Sequence, residues 1–185
     1  MMQIISNICS CICEVIDKIA ANAKGQNYLP ELMENLLSEE IIKLIMINIL
    51  NDDLNLSGYS CSVFVHYLLN CPSHHEFFND EDFVEEFWTQ SFTNMTKMNT
   101  LGTIKMVEIL NYMLKEDLML SRDIIVKKQM LWHNIIQIFQ KYPMNNILHN
   151  EIVKLFDICF AIECEELLWG LLNEDMFLKF VVQEI

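Results

Sequence analysis

Apolar residues recur at helical spacing along nearly the whole chain. Ile4, Ile8, Ile12, Val15, Ile16 and Ile19 fall three or four positions apart and predict a first helix ending near Lys24-Gly25. Pro30 stands at a first-turn position and predicts a second helix over 30–37. Ser38 precedes Glu39 and Glu40, acids that suit the positive end of a helix dipole. A strongly apolar helix should follow to Leu50, broken by Asn51-Asp52-Asp53. The next helix is expected over 59–70, with Cys71-Pro72-Ser73 as its stop.

Residues 76–92 alternate acids with Phe77, Phe78, Phe83, Val84, Phe87 and Trp88, the pattern of an amphipathic helix with a solvated acidic face. A polar loop over 93–100 leads to a helix over 101–115. Ser121 is placed as the cap of the following stretch, 122–141, read as one helix or two and ended by Pro143. Asn145-Asn146 then starts a helix in which Leu148, Ile152, Phe156 and Phe160 are assigned to one stripe. Two short helices, 165–172 and 174–184, complete the prediction.

No segment shows the period of two that a strand requires, so the fold is expected to be all-α. Several helices carry apolar residues on more than one face, as when each packs between neighbours. No exact repeat is visible, but the helices come in pairs at about the 40-residue spacing of armadillo and HEAT units. These features predict an armadillo/HEAT-like α-solenoid of stacked helix pairs, forming a single helical-repeat domain over 1–185, in preference to a closed bundle.

Composition supports a packed core. Hydrophobic residues make up 52% of the 185 positions and charged residues 21%, a ratio incompatible with global disorder. With only four glycines and three prolines, long helices are favoured over a many-turned β fold. The net charge of −14 is uneven. Residues 1–96 hold 3 basic against 14 acidic side chains, residues 97–154 hold 8 against 5, and residues 155–185 hold 1 against 7. A phosphate backbone would be repelled by most of this surface, and Arg122 is the only arginine, so nucleic acid is not an expected partner.

The seven cysteines are odd in number and several lie on apolar helical stretches. They are read as reduced, mostly buried thiols, not a disulfide framework. The N-terminus lacks a basic region, and Ser6 and Asn7 interrupt its apolar run, so no signal peptide is expected. The strongest apolar stretch, 41–50, is half the length of a bilayer span and contains Lys43 and Asn48. No membrane segment is expected, and the cytoplasm, with the nucleus also open to it, is the expected location.

Several stretches resemble the SAPS-domain family, regulatory subunits of protein phosphatase 6. Ser6-Asn7 with Ile12-Cys13-Glu14-Val15-Ile16 resembles the family's "SNA…LCDII" helix. Leu29-Pro30-Glu31-Leu32 through Ile41-Ile42-Lys43-Leu44-Ile45, then Ser57-Gly58 and Val63 to Leu69, resembles its "LL..LES…VEQLL…LVSG..VL..LL" section. Leu101-Gly102-Thr103-Ile104 is similar to "LGN.RL", and Phe139-Gln140-Lys141-Tyr142-Pro143-Met144-Asn145-Asn146-Ile147-Leu148-His149 to "FFKYPWNNFLH". Leu167-Leu168 with Leu171 to Val182 resembles the helices that follow. Met144 departs from the usual tryptophan, and the loops between helices are shortened. The stretches match the C-terminal part of a SAPS domain, so a fragment or reduced homologue is expected. The resemblance implies a non-catalytic regulatory or scaffold subunit that binds a serine/threonine protein phosphatase catalytic subunit and directs it to substrates. The alternative is a generic armadillo-like protein-protein adaptor unrelated to phosphatases.

The candidate partner-binding residues are Tyr142, Asn145, Asn146 and His149. The competing assignment is local, with an asparagine capping a helix and His149 tying adjacent helices. Cys71-Pro72-Ser73-His74-His75 raises the question of zinc, but no second ligand pair of suitable spacing accompanies it, and no metal or other cofactor is expected. The acidic run Glu76, Asp80, Glu81, Asp82, Glu85, Glu86 lacks the glycine of a calcium loop and reads as a solvated face, or a dock for a basic loop. No nucleophile elbow, phosphate-binding glycine loop or paired-histidine metal helix occurs, and the chain is not expected to be an enzyme. Trp88, Trp132, Tyr142 and Trp169 are expected as core wedges; one exposed on a concave face would anchor a partner.

Overall fold

The computed structural model of the chain describes residues 2–23, 38–51, 53–70, 80–116, 119–127, 130–162 and 165–172. Every regular element among them is an α-helix. In order these are α1 (Met2–Ala23), α2 (Glu39–Ile49), α3 (Leu54–Asn70), α4 (Glu81–Met95), α5 (Thr100–Lys115), α6 (Met119–Lys127), α7 (Met130–Lys141), α8 (Asn146–Ala161) and α9 (Glu165–Leu172). The expected helices over 30–37 and 174–184, the breaks at 24–25 and 71–73, and the Cys71–His75 cluster lie outside the described residues.

Side-chain chemistry sets the helix starts. The Asp53 carboxylate accepts the Asn55 and Leu56 N–H groups at 3.0 and 3.2 Å, so α3 begins five residues before the apolar pattern suggests. Asp80 caps α4 through Phe83 N–H at 3.2 Å, and Asn99 caps α5 through Gly102 N–H at 2.8 Å. The polar loop expected over 93–100 is shorter, because α4 continues to Met95. The 122–141 stretch divides into α6 and α7, and Ser121 lies inside α6 instead of capping it.

Packing alternates along the chain. α1, α3, α5 and α8 follow one another side by side, the α1–α3, α3–α5 and α5–α8 contacts being among the most extensive in the protein. α2 packs on α3 and α4, α4 then meets α6 and α7, and α9 rests on α8. An aromatic cluster joins α3 to α4: Phe64 and Tyr67 stack at 6.2 Å, Phe64 meets Phe87 edge-on at 6.3 Å, and Trp88 lies between Phe87 and Phe92 at 5.2 and 5.5 Å. All five rings are buried. The opposite face of α4 holds Glu81, Asp82, Glu85 and Glu86 in solvent, as the alternation predicts.

Where α3 crosses α5, two buried glycines face each other. A Cβ on Gly58 would stand 3.1 Å from Asn99 Oδ1 and 3.3 Å from Gly102 N, and one on Gly102 would stand 3.4 Å from Gly58 Cα. A Cβ at Gly58 would press on the Asn99 cap, and the Asn99 side chain would have to give by a few tenths of an ångström. At the C-terminal end of α4 the following turn folds back on Asn94 O, and α7 reaches two further carbonyls. Asn134 Nδ2 donates to Phe92 O, and Lys141 Nζ donates to Thr96 O at 2.7 Å.

The stripe assigned to α8 is narrower than expected. On α8 the buried positions are Leu148, Ile152, Leu155 and Cys159, while Phe160 is 59% exposed. On α1, Ile16 is buried and Ile12 and Val15 pack against the core, but Ile4 and Ile8 are exposed.

One polar cluster ties α2 to α4. Lys43 Nζ lies 2.9 Å from Asp80 Oδ2, 3.0 Å from Glu39 Oε1 and 5.1 Å from the centre of the Phe83 ring. Its hydrogen bond, with that from Phe83 N–H, holds the Asp80 carboxyl below the usual carboxylate range. A carboxyl depressed by folding stabilises the folded state above its unfolded pKa and loses that contribution as pH falls through the folded value. Asp80→Asn should therefore melt below wild type at neutral pH. The gap should close below about pH 4, readable by thermal melts across pH. A gap constant with pH would remove the charge from the account.

Candidate functional site

The four candidate residues meet at the α7–α8 corner. α7 ends at Lys141, Tyr142 N–H still reaches Ile138 O at 3.2 Å, and Asn145 N–H turns back to Tyr142 O at 3.0 Å. Pro143 has no N–H to continue the helix. The Asn145 side chain accepts Leu148 N–H at 3.0 Å and so caps α8. Asn145→Ala should cost about 1 kcal/mol in urea denaturation, and Asn145→Asp should restore it. Equal stability of all three would show that the cap does not hold the corner.

Tyr142 is half-buried, with its hydroxyl 3.4 Å from Met98 O and the Lys141 ammonium 5.1 Å from its ring centre. His149 stacks on Phe139 with centroids 3.9 Å apart and planes 9° apart, and its Nε2 lies 3.4 Å from Phe139 O. Tyr142, Asn145 and His149 thus have structural roles. The surface of the corner belongs to Asn146, Met144 and Ile147, the last two 89% and 65% exposed. Residues 141–147 line an open hollow of about 560 Å³.

A second concavity was not signalled by any motif. It has a volume of about 580 Å³ and lies between α3, α5 and α8, with Val65, Leu68, Tyr112 and Ile158 as apolar walls. Asn111, only 8% exposed, lines it. Asn111 Nδ2 donates to Glu151 O at 3.0 Å and to Glu151 Oε2 at 3.2 Å. Both partners are acceptors, which fixes the amide orientation and turns Oδ1 away from them. Asn111 Oδ1 is buried without a hydrogen-bond partner, a condition that costs about 1–3 kcal/mol. Lys154 closes on Glu151 at 2.6 Å, and Lys105 on Glu108 at 2.8 Å. The available sequence signal is a lone asparagine inside the apolar run of α5; its orphaned oxygen depends on α8, 40 residues away.

The other candidates separate. Trp88 and Trp132 are core wedges, and Trp132 Nε1 donates to Leu167 O at 2.8 Å. Trp169 is instead 61% exposed on α9. Of the cysteines among the described residues, Cys61 and Cys159 are buried, Cys9 and Cys13 half-buried and Cys11 exposed, while Cys71 and Cys164 lie outside them. Burial raises the pKa of Cys61, Cys9 and Cys13, the direction opposite to thiolate activation. Among the described residues no group of three or more His, Cys, Asp or Glu could hold a metal, and no helix is long and apolar enough to cross a membrane. Comparison with protein-family models, curated proteins and solved structures finds no match to the chain.

Proposed function

We propose that the chain is an armadillo/HEAT-like solenoid acting as a non-catalytic regulatory or scaffold subunit, which binds a serine/threonine phosphatase catalytic subunit and directs it to substrates. The observation that carries this reading is the α7–α8 corner. The stretch with the most specific resemblance, 139–149, folds into one capped corner that presents Met144, Asn146 and Ile147 outward. The helix order supports the solenoid: α2/α3, α4/α5 and α7/α8 are successive pairs, and α3, α5 and α8 pack in sequence. Each pair covers one face of the next, which leaves the connecting turns to act as recognition surface.

The test is affinity purification of the chain from a native extract followed by mass spectrometry. A metal-dependent serine/threonine phosphatase should be enriched, and Met144→Asp with Ile147→Asp should abolish that enrichment without changing helicity, since both side chains are already in solvent. Enrichment of unrelated partners alone would replace the phosphatase reading with that of a general adaptor.

A further inference from the structure

We propose that the surface formed by α2 and α4 binds a basic amphipathic helix of a partner protein, its apolar stripe on Leu44 and Ile47 and its cations beside the acids of α4. The inference starts from side chains that α2 leaves without cover. Its inner positions Ile42, Met46 and Ile49 are buried. Leu44 and Ile47, one turn apart, are 54% and 55% exposed, and Ile41, one turn earlier, is 37% exposed. Ile47 also stands at the edge of a hollow of about 580 Å³ between α2 and α4. Leu50 and Phe83 wall this hollow, the buried Met46 and Phe87 close it beneath, and Glu86 lines it from α4.

Helices are the only regular elements among the described residues, so they offer no sheet edge to an extended segment. A helix hydrogen-bonds its own backbone and needs from its partner only a groove for side chains three or four positions apart. Leu44, Ile47 and the hollow beside them provide such a groove. The surrounding charge then selects among helices. Residues 38–96 hold 1 basic against 10 acidic side chains. The one ammonium, Lys43, is already held by Asp80 and Glu39 at 2.9 and 3.0 Å. Glu40 on α2 and Glu81, Asp82, Glu85 and Glu86 on α4 stand in solvent. Glu86 Oε1 accepts Gln90 Nε2 at 2.8 Å, a neutral partner that leaves the carboxylate charge in place. Lysines or arginines flanking an apolar stripe would meet these carboxylates, while their stems cover apolar wall. An acidic helix, a nucleic acid or an anionic lipid surface would be repelled, as would a second copy of the chain at a net charge of −14. None of this depends on the phosphatase reading, which rests on residues 139–149.

The experiment titrates the full chain against three fluorescein-labelled peptides of about 18 residues, or five helical turns, read by fluorescence anisotropy. One carries leucines at helical spacing with lysines elsewhere, one replaces the lysines with glutamates, and one keeps the first composition in strict alternation. The first should bind saturably, and the other two at least about tenfold more weakly, through loss of the charge match or of the stripe. Leu44→Gln and Ile47→Gln should each weaken the first peptide about tenfold, and both side chains are already half in solvent, so helicity should be kept. Glu86→Lys should weaken it by a smaller factor that fades at high salt. Met144→Asp, at the α7–α8 corner, should leave it unchanged. Absence of saturable binding, equal binding of the glutamate or alternating peptide, or unchanged affinity in the two glutamine variants would overturn the proposal. Sedimentation of the chain alone should show no self-association that Ile47→Gln removes; such self-association would assign the face to a second copy and overturn it as well.

Discussion

Replacing Trp88 with alanine is expected to destabilise the protein by about 3–5 kcal/mol, a large share of the stability of an ordinary domain. The ring is fully buried between Phe87 and Phe92 in the cluster that joins α3 to α4, so its removal leaves a cavity that rigid helices cannot collapse to fill. Trp88→Phe separates packing from polarity. The Trp88 Nε1 donor is buried without an acceptor, so phenylalanine removes an unfavourable group while keeping most of the ring contacts. Urea denaturation followed by circular dichroism should place Trp88→Phe much nearer to wild type than Trp88→Ala. An alanine variant within about 1 kcal/mol of wild type would mean that the aromatic cluster is not packed as described.

Gly58→Val should cost about 2–4 kcal/mol by a different route. Its Cβ would stand 3.1 Å from Asn99 Oδ1, the oxygen that caps α5, and 3.3 Å from the Gly102 nitrogen that this oxygen receives. Two further methyl carbons would force α3 and α5 apart and dislodge the cap, adding overpacking of about 1–3 kcal/mol to a cap loss of about 1 kcal/mol. The same denaturation assay reads the effect, and near-wild-type stability would refute the close crossing.

The all-α class and most helices were legible because apolar spacing survives translation into burial. The stripe assigned to α8 fails for a geometric reason. A helix advances about 100° per residue, so steps of four drift by about 40° each. Leu148, Ile152, Leu155 and Cys159 correct that drift with one step of three, whereas uninterrupted steps of four from Leu148 bring Phe160 about 120° away. Ile4 lies equally far around α1 from the buried Ile16. Asp53 was visible as a breaker, but the same carboxylate serves as a helix start, and only its acceptance of the Asn55 and Leu56 N–H groups reveals which role applies.

At the candidate site, the cap at Asn145 could be read locally because donor and acceptor are three residues apart. The stacking of His149 on Phe139 was within reach of the same local reading. The Asn111 groove was not, since three helices must assemble before its amide orientation is defined and one oxygen is left over. Gly58 and Gly102 lie inside the stretches that carry the resemblance, yet nothing in their spacing indicates that the two backbones touch.

The side-by-side succession of α1, α3, α5 and α8 also governs how the molecule comes apart. α5 is gripped from several directions, by α3, α4, α6 and α8, whereas α1 leans chiefly on α3 and α9 on α8. Thermal opening would begin at α1 and α9, the helices with the fewest partners among the described residues, and work inward. Amide protons of α5 would then outlast those of α1 and α9 in deuterium exchange, and the molecule would shed its margins while its waist stayed shut.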